Sequence, residues 1–151
     1  MPPTDVPANF SIVTLGVSDL ERSARFYRAL GWEQRREVSD GIVWFKTSGT
    51  WIGLFGYDAL AEDAHLEPIP VSEQPEYRGI TLAVNLPSEA AVDLAFVRAH
   101  EAGGTIVKPA EKTGWGGYSG YFSDPDGHLW ELACNPGFPI DEHGRIDIPQ
   151  R

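Results

Sequence analysis

The chain states one pattern twice, and that repetition limits its fold more than any other feature. Thr14-Leu-Gly-Val17 ends a strand that runs into a helix, and Thr81-Leu-Ala-Val84 does the same later. In the first copy, Val13, Leu15 and Val17 alternate with Ile12, Thr14 and Gly16 over 11–17, the period of a half-buried strand. Ser18-Asp-Leu-Glu21 reads as a capping box in which Ser18 and Glu21 satisfy orphan N–H groups. The helix that follows sets Leu20, Ala24, Tyr27 and Leu30 on one side, with Ser23 and Phe26 flanking, and Gly31 stops it. Three strands are expected over 33–38, 41–47 and 50–57, the last two turned at Ser48-Gly49. In the second copy, Ile80, Leu82, Val84 and Leu86 alternate with Thr81, Ala83 and Asn85 over 79–86. Ser88 caps a second helix, with Glu89 favourable in its first turn. Val92, Ala95, Phe96 and Ala99 form the apolar stripe, and Gly103-Gly104 ends it. A strand over 105–108 and a glycine-aromatic loop over 112–120 lead to a final hairpin. Each copy is a βαβββ unit.

The hairpin is Tyr121-Phe-Ser-Asp-Pro-Asp-Gly-His-Leu-Trp-Glu-Leu-Ala133. Pro125 presets φ at the first central position of the turn Asp124–Gly127, and Gly127 accepts the geometry of its exit. The aromatic residues around it favour pleated strands. Alternation puts Leu129, Glu131 and Ala133 on one face and Trp130 and Leu132 on the other. A carboxylate in such a strand must be exposed, paired or bound to a metal, because a lone buried charge is costly.

This hairpin resembles the motif of the vicinal-oxygen-chelate superfamily, the group of glyoxalase I, extradiol dioxygenases and bleomycin-resistance proteins. Its last strand reads Asp-Pro-(Asp/Glu)-Gly-(Asn/His)-x-x-Glu. Val17-Ser-Asp-Leu20, Phe26-Tyr27 and Leu30-Gly31 match the family's first strand and helix, so the resemblance covers roughly 10–135. It implies a single α+β domain. Two βαβββ modules form a curved, open mixed sheet around a concave cavity, with the helices on the outer side. Module one spans about 10–58, a linker about 59–77, module two about 78–135 and a C-terminal tail 136–151. On this reading Val13, Leu15, Val17, Ile80, Leu82 and Val84 pack on the helices, and the opposite strand faces line the cavity.

The resemblance also implies one divalent metal held by four side chains, at positions that fall on Ile12, Gly53, Thr81 and Glu131. Only Glu131 is a ligand type. A register shifted by two residues keeps the same face and still offers no His, Asp or Glu on either first strand. His65, His100, His128 and His143 have no chelating spacing. Zinc sites use about three or four protein ligands, and non-haem iron needs two His and a carboxylate. No cofactor is therefore expected, and a divalent metal enters only if this mapping is wrong.

The candidate ligand-binding set is Trp51, Phe55, Thr81, Trp115, Tyr118, Tyr121 and Glu131. Trp51 and Phe55 flank Gly53 on the cavity face, and Gly53 leaves room there. Tyr121 shares the side of Glu131. Trp115-Gly-Gly-Tyr-Ser-Gly-Tyr121 reads either as a ligand lid or as a turn packed over the sheet. Glu131 has three readings: recognition of an amine or guanidinium, a general base raised by burial, or a structural carboxylate bonded to Thr81, a tyrosine or water. An aromatic, acid-tipped cavity suits a small apolar or cationic organic molecule. The alternatives are a metal-dependent lyase, isomerase or dioxygenase, and a metal-independent enzyme using Glu131 as base. Resemblance to the bleomycin-resistance branch implies a homodimer.

The net charge of −10, from 22 acidic and 12 basic residues, argues against nucleic acid and anionic membrane surfaces as partners. It is read either as a solvated acidic surface or as a field that attracts cations. The single Cys134 excludes an internal disulfide, suits a reducing compartment and reads as a small hydrophobe. No apolar run is long enough to cross a membrane, and Met1-Pro-Pro-Thr-Asp5 lacks the regions of a signal peptide. A cytoplasmic location is the expectation. Residues 1–9 read as a loose lead-in, and 59–76 as an acidic, proline-bearing linker with one helical turn near 59–64. In the tail, Ile140, Ile146 and Ile148 are candidate anchors.

Overall fold

The structure is a computed structural model that describes residues 6–150. The part of the expected lead-in at 1–5 lies outside the described residues. Module one contains β1 (Ile12–Val17), α1 (Leu20–Ala29), β2 (Glu33–Arg35), β3 (Ile42–Lys46) and β4 (Trp51–Gly56). A short α2 (Tyr57–Asp63) opens the linker. Module two contains β5 (Leu82–Asn85), α3 (Glu89–Glu101), β6 (Thr105–Lys112), β7 (Tyr118–Ser123) and β8 (Leu129–Cys134). The strands form two four-stranded mixed sheets, ordered β1-β4-β3-β2 and β5-β8-β7-β6. In both, the first strand pairs parallel with the fourth: Thr14 lies across from Gly53, and Ala83 across from Glu131. The chain thus has the expected α+β, two-module fold, with the eight strands divided between two sheets.

The core explains how the modules are set. Leu15, Val17, Val43, Phe45, Ile52 and Leu54 are buried on the helix side of the first sheet, and Phe122, Trp130 and Leu132 on that of the second. These sides share one core. Phe26 lies 6.2 Å from Phe122, Tyr27 6.1 Å from Trp130, and Trp32 packs edge-on to Trp130 at 5.5 Å between ring centroids. Each fully buried side chain of this size stabilises by about 1.5–3 kcal/mol. Because both helix-side faces are spent on the shared core, the opposite faces are turned away from it.

Several boundaries differ from the sequence reading. Asp19, not Ser18, caps α1, accepting from Arg22 N–H at 3.0 Å. Glu21 instead reaches Arg28 at 3.3 Å. β2 stops at Arg35 because Arg36 takes φ of 70° and Val38–Asp40 coils into a 3-10 turn. β5 starts at Leu82, paired with Trp130, and Ile80 lies outside it. Ile80 is accordingly 67% exposed and packs on no helix. β6 runs on to Lys112 through register shifts around Lys108, and the glycine-aromatic loop shrinks to 113–117. The Ser88 cap stands, accepting from Ala91 N–H at 3.1 Å. Cys134 packs against the core as a free thiol.

Candidate functional site

The outward face of the first sheet is aromatic. Trp44, Trp51 and Phe55 share it with Ile12, Thr14 and Gly53 by strand alternation. Gly53 does make room there, but for its own neighbour. An ideal Cβ at position 53 would lie 2.8 Å from Trp44 Cζ3 and 3.2 Å from Thr14 Oγ1. The Trp44 ring therefore lies over the position where the family places a glutamate. Arg35 sits above Trp51, its guanidinium carbon 5.5 Å from the ring centroid, while Nε bonds Glu33 at 2.8 Å. Trp44 and Arg35 were not among the candidates. Trp44 could have been read from alternation, since it lies between the buried Val43 and Phe45.

The outward face of the second sheet carries the acid. Tyr121 and Glu131 are direct cross-strand neighbours, and the Tyr121 hydroxyl donates to Glu131 Oε2 at 3.2 Å. Burial first, and then the Glu131 charge, push the Tyr121 phenol above its usual range. The phenol is thus held as a donor, and it orients the carboxylate. Thr81 is exposed at the mouth of β5 and makes no hydrogen bond to Glu131 among those described. Tyr118 falls on the other side: it packs against the core, and its hydroxyl donates to Asp93 of α3 at 2.6 Å. Trp115 is 54% exposed, and its ring lies across Gly117, where a Cβ would come within 1.7 Å of it. The loop is thus a turn closed on itself. The candidate set is split over two sheets: Trp51 and Phe55 on one, Tyr121 and Glu131 on the other.

The fit of a metal can be tested on these faces. Ile12 and Gly53 offer no side-chain donor, Thr14 and Thr81 offer only neutral hydroxyls, and Ala83 adds nothing. Among the described residues no group of three or more His, Cys, Asp or Glu comes together. The residues do not fit a divalent catalytic centre.

The turn of the hairpin has a different task. Asp126 accepts from Ser18 N–H at 2.8 Å, Ser18 Oγ at 2.7 Å and Ser23 Oγ at 2.8 Å, with Arg22 Nη2 at 3.5 Å. This seats a carboxylate at the N-terminus of α1, where the helix dipole favours it. Asp124, 3% exposed, accepts from Tyr27 Oη at 2.7 Å and from the N–H groups of Asp126 and His128. Burial holds its carboxyl above the usual range against these hydrogen bonds. Trp130 Nε1 donates to Tyr27 Oη at 3.1 Å. His128 Nε2 lies 2.8 Å from Gly16 O, and its Nδ1 lies 3.2 Å from Arg78 Nη1. A carbonyl only accepts and a guanidinium only donates, so Nε2 carries the proton. The most motif-like segment of the chain therefore joins the two modules. Local patterns could not show this, because its partners lie about a hundred residues away.

Comparison with known proteins agrees with this architecture. The family model "Glyoxalase/Bleomycin resistance protein/Dioxygenase superfamily" matches residues 9–132. The chain is similar to metallothiol transferase FosB of Shouchella clausii, with 29% identity over 121 residues, 80% of this chain and 75% of that protein. Among solved structures it resembles a glyoxalase-related enzyme from Fulvimarina pelagi, at 32% identity and a TM-score of 0.82 over 94% of this chain and 99% of the other. A lactoylglutathione lyase from Agrobacterium tumefaciens shares the fold, at 23% identity and a TM-score of 0.64, over 86% of this chain and 96% of that one.

Proposed function

The chain belongs to the glyoxalase/bleomycin resistance protein/dioxygenase superfamily, and from that premise we propose that it binds a small apolar or cationic organic molecule without a metal. One observation carries the reading: the position of a family ligand is Gly53, and the Trp44 ring fills the space above it. An aromatic wall stands where a metal ligand would be. The chain's own Arg35 above Trp51 supports a cationic ligand, since that ring face already attracts a guanidinium. Glu131, oriented by Tyr121, supplies a counter-charge for an amine.

Because the two faces are turned outward, the site we propose is completed in a homodimer. There the Trp44, Trp51 and Phe55 face of one copy meets the Tyr121 and Glu131 face of its partner. β1 and β5, each paired on one side only, offer edges for such an assembly. Among the described residues no helix is long and apolar enough to cross a membrane. The net charge of −10 disfavours nucleic acid, and the lone thiol suits the cytoplasm.

The test is metal analysis of the purified protein, with thermal shifts against nickel, zinc, manganese, iron and benzyltrimethylammonium. The expected result is no bound metal, no shift with any metal, and a saturable shift with the ammonium that Trp51→Ala abolishes. A stoichiometric metal overturns the reading in favour of a metal-dependent lyase or dioxygenase. Sedimentation as a monomer at micromolar concentration removes the dimer. The 3.2 Å contact between Tyr121 and Glu131 favours one second reading, a metal-independent enzyme with Glu131 as general base. It requires that Glu131→Gln fold normally and lose all turnover.

A further inference from the structure

A cavity of about 1110 Å³ opens between the modules, reaching from the core side to the β5 edge at Thr81 and Ala83 and to Lys46 at the end of β3. It is somewhat larger than the roughly 300–1,000 Å³ of ordinary small-molecule pockets. Its floor is apolar: Trp32 and Trp130, with Ile52 from β4 and Val84 from β5. Its outer wall is the C-terminal tail, which lies beyond the family match at 132. There Ile140 and Ile146 form an antiparallel bridge and line the cavity. The wall is braced: Asp141 accepts from the N–H groups of His143 and Arg145 at 2.8 and 2.9 Å, and Asp147 N–H donates to Pro139 O at 3.1 Å. The tail therefore uses its isoleucines to face the gap between the modules.

The rim supplies a charge. Of its ionic side chains, Glu33 is paired with Arg35, Asp141 with Arg145 and His143 with Glu142. Lys46 has no ion-pair partner among the described residues, although its backbone lies directly across from Glu33. An ammonium without an ion-pair partner at the mouth of an apolar cleft selects, by its local charge, a ligand with an anionic head and a hydrocarbon body.

We propose that this cleft is a second binding site, distinct from the aromatic residues Trp44, Trp51 and Phe55 and from the Tyr121–Glu131 pair, none of which lines it. Its ligand is an amphipathic monocarboxylate, with its chain against Trp32 and Trp130 under the tail and its carboxylate at Lys46. Thr81 of the candidate set lines the cleft, but Trp44, Trp51, Phe55, Tyr121 and Glu131 take no part, so either assignment can fail alone.

Decanoate, titrated below its micellar range, is the probe, followed by tryptophan fluorescence and calorimetry. Decyltrimethylammonium serves as the control of opposite charge. The expected result is saturable binding of one decanoate per chain, weakened about tenfold in Lys46→Glu. Lys46→Gln is the milder check, and Ile146→Ser should weaken binding several-fold. Trp51→Ala and Glu131→Gln should leave it unchanged. The proposal is overturned by absent or non-saturating binding, by equal affinity for the ammonium in Trp51→Ala, where the cation site on the sheet face is removed, or by indifference to both Lys46 variants. Loss of binding in Trp51→Ala overturns it by moving the ligand to the sheet face. Decanoate that binds only while splitting a dimer also overturns it, since the cleft would then be an interface between copies.

Discussion

Removing one oxygen from the centre of the molecule should cost more than removing most surface side chains. Tyr27 is fully buried, and its hydroxyl joins both modules, donating to Asp124 at 2.7 Å and accepting from Trp130 at 3.1 Å. Tyr27→Phe keeps the ring and its packing. It deletes one hydrogen bond to a buried carboxylate, worth about 1.5–3 kcal/mol, and leaves the Trp130 N–H without a partner, at about 1–3 kcal/mol. The two effects share one site and overlap, so the expected loss is about 3–5 kcal/mol. For a chain of this length that lowers Tm by roughly 6–20 °C. Urea melts at fixed protein concentration measure it. The pH dependence gives a second check. Burial raises the Asp124 carboxyl, so the native state binds its proton more readily than the unfolded chain does. The Asp124 contribution to stability therefore falls as pH rises from about 4 through the raised native value, and is level above it. The Tyr27 hydroxyl bonds the charged form and limits that fall. The deficit of Tyr27→Phe should accordingly be larger at pH 7 than at pH 4. A loss below about 1 kcal/mol, or a deficit that grows toward acid, would refute the reasoning.

Three further outcomes follow from the geometry. Gly53→Ala should destabilise by about 1–3 kcal/mol, because its Cβ meets the Trp44 ring at 2.8 Å; unchanged denaturant midpoints would mean that Trp44 swings away freely. Arg35→Ala should tighten benzyltrimethylammonium binding about three- to fivefold by freeing the Trp51 face, measured by calorimetry, and weaker binding would contradict it. The Asp141 carboxyl is held below its usual range, chiefly by the N–H of Arg145. Its support of the tail is thus present above the ordinary carboxylate range and lost as pH falls through the lowered value. Proteolysis at the tail should therefore rise at strongly acid pH in the native chain and at all pH values in Asp141→Asn.

Local pattern was a good guide wherever local interactions decide. Val13, Leu15 and Val17 face the helix as their alternation requires, Ser88 caps α3, and Tyr121 shares a face with Glu131. It misled where a distant partner decides. Ser18 is a sound helix cap by sequence, yet Asp126, 108 residues on, takes both its N–H and its hydroxyl. Asp19 then takes the capping role. The glycine-aromatic spacing puts Tyr118 in a loop beside the ligand, but β7 begins with it and places it on the Phe122 side, over α3. Gly53 was legible as empty space; what fills that space depends on β3 lying beside β4, which no residue within the strand reveals. The junction of Asp124, Asp126, Tyr27 and Trp130 leaves no local mark, because the turn's own geometry accounts for Asp124-Pro-Asp-Gly127.

That junction also sets an order of events during synthesis. A ribosome releases the first module with α1 complete in sequence but lacking Asp126 for Ser18 and Ser23, and Asp124 and Trp130 for the Tyr27 hydroxyl. Those partners emerge roughly a hundred residues later. Until then the nascent first half holds a polar hydroxyl among aromatic rings with nothing to bond but water, and it cannot close its core. Its last contacts must await the hairpin at the far end, so the two halves of the repeat reach their final form together, after translation of the second, despite each having a full set of strands and a helix of its own.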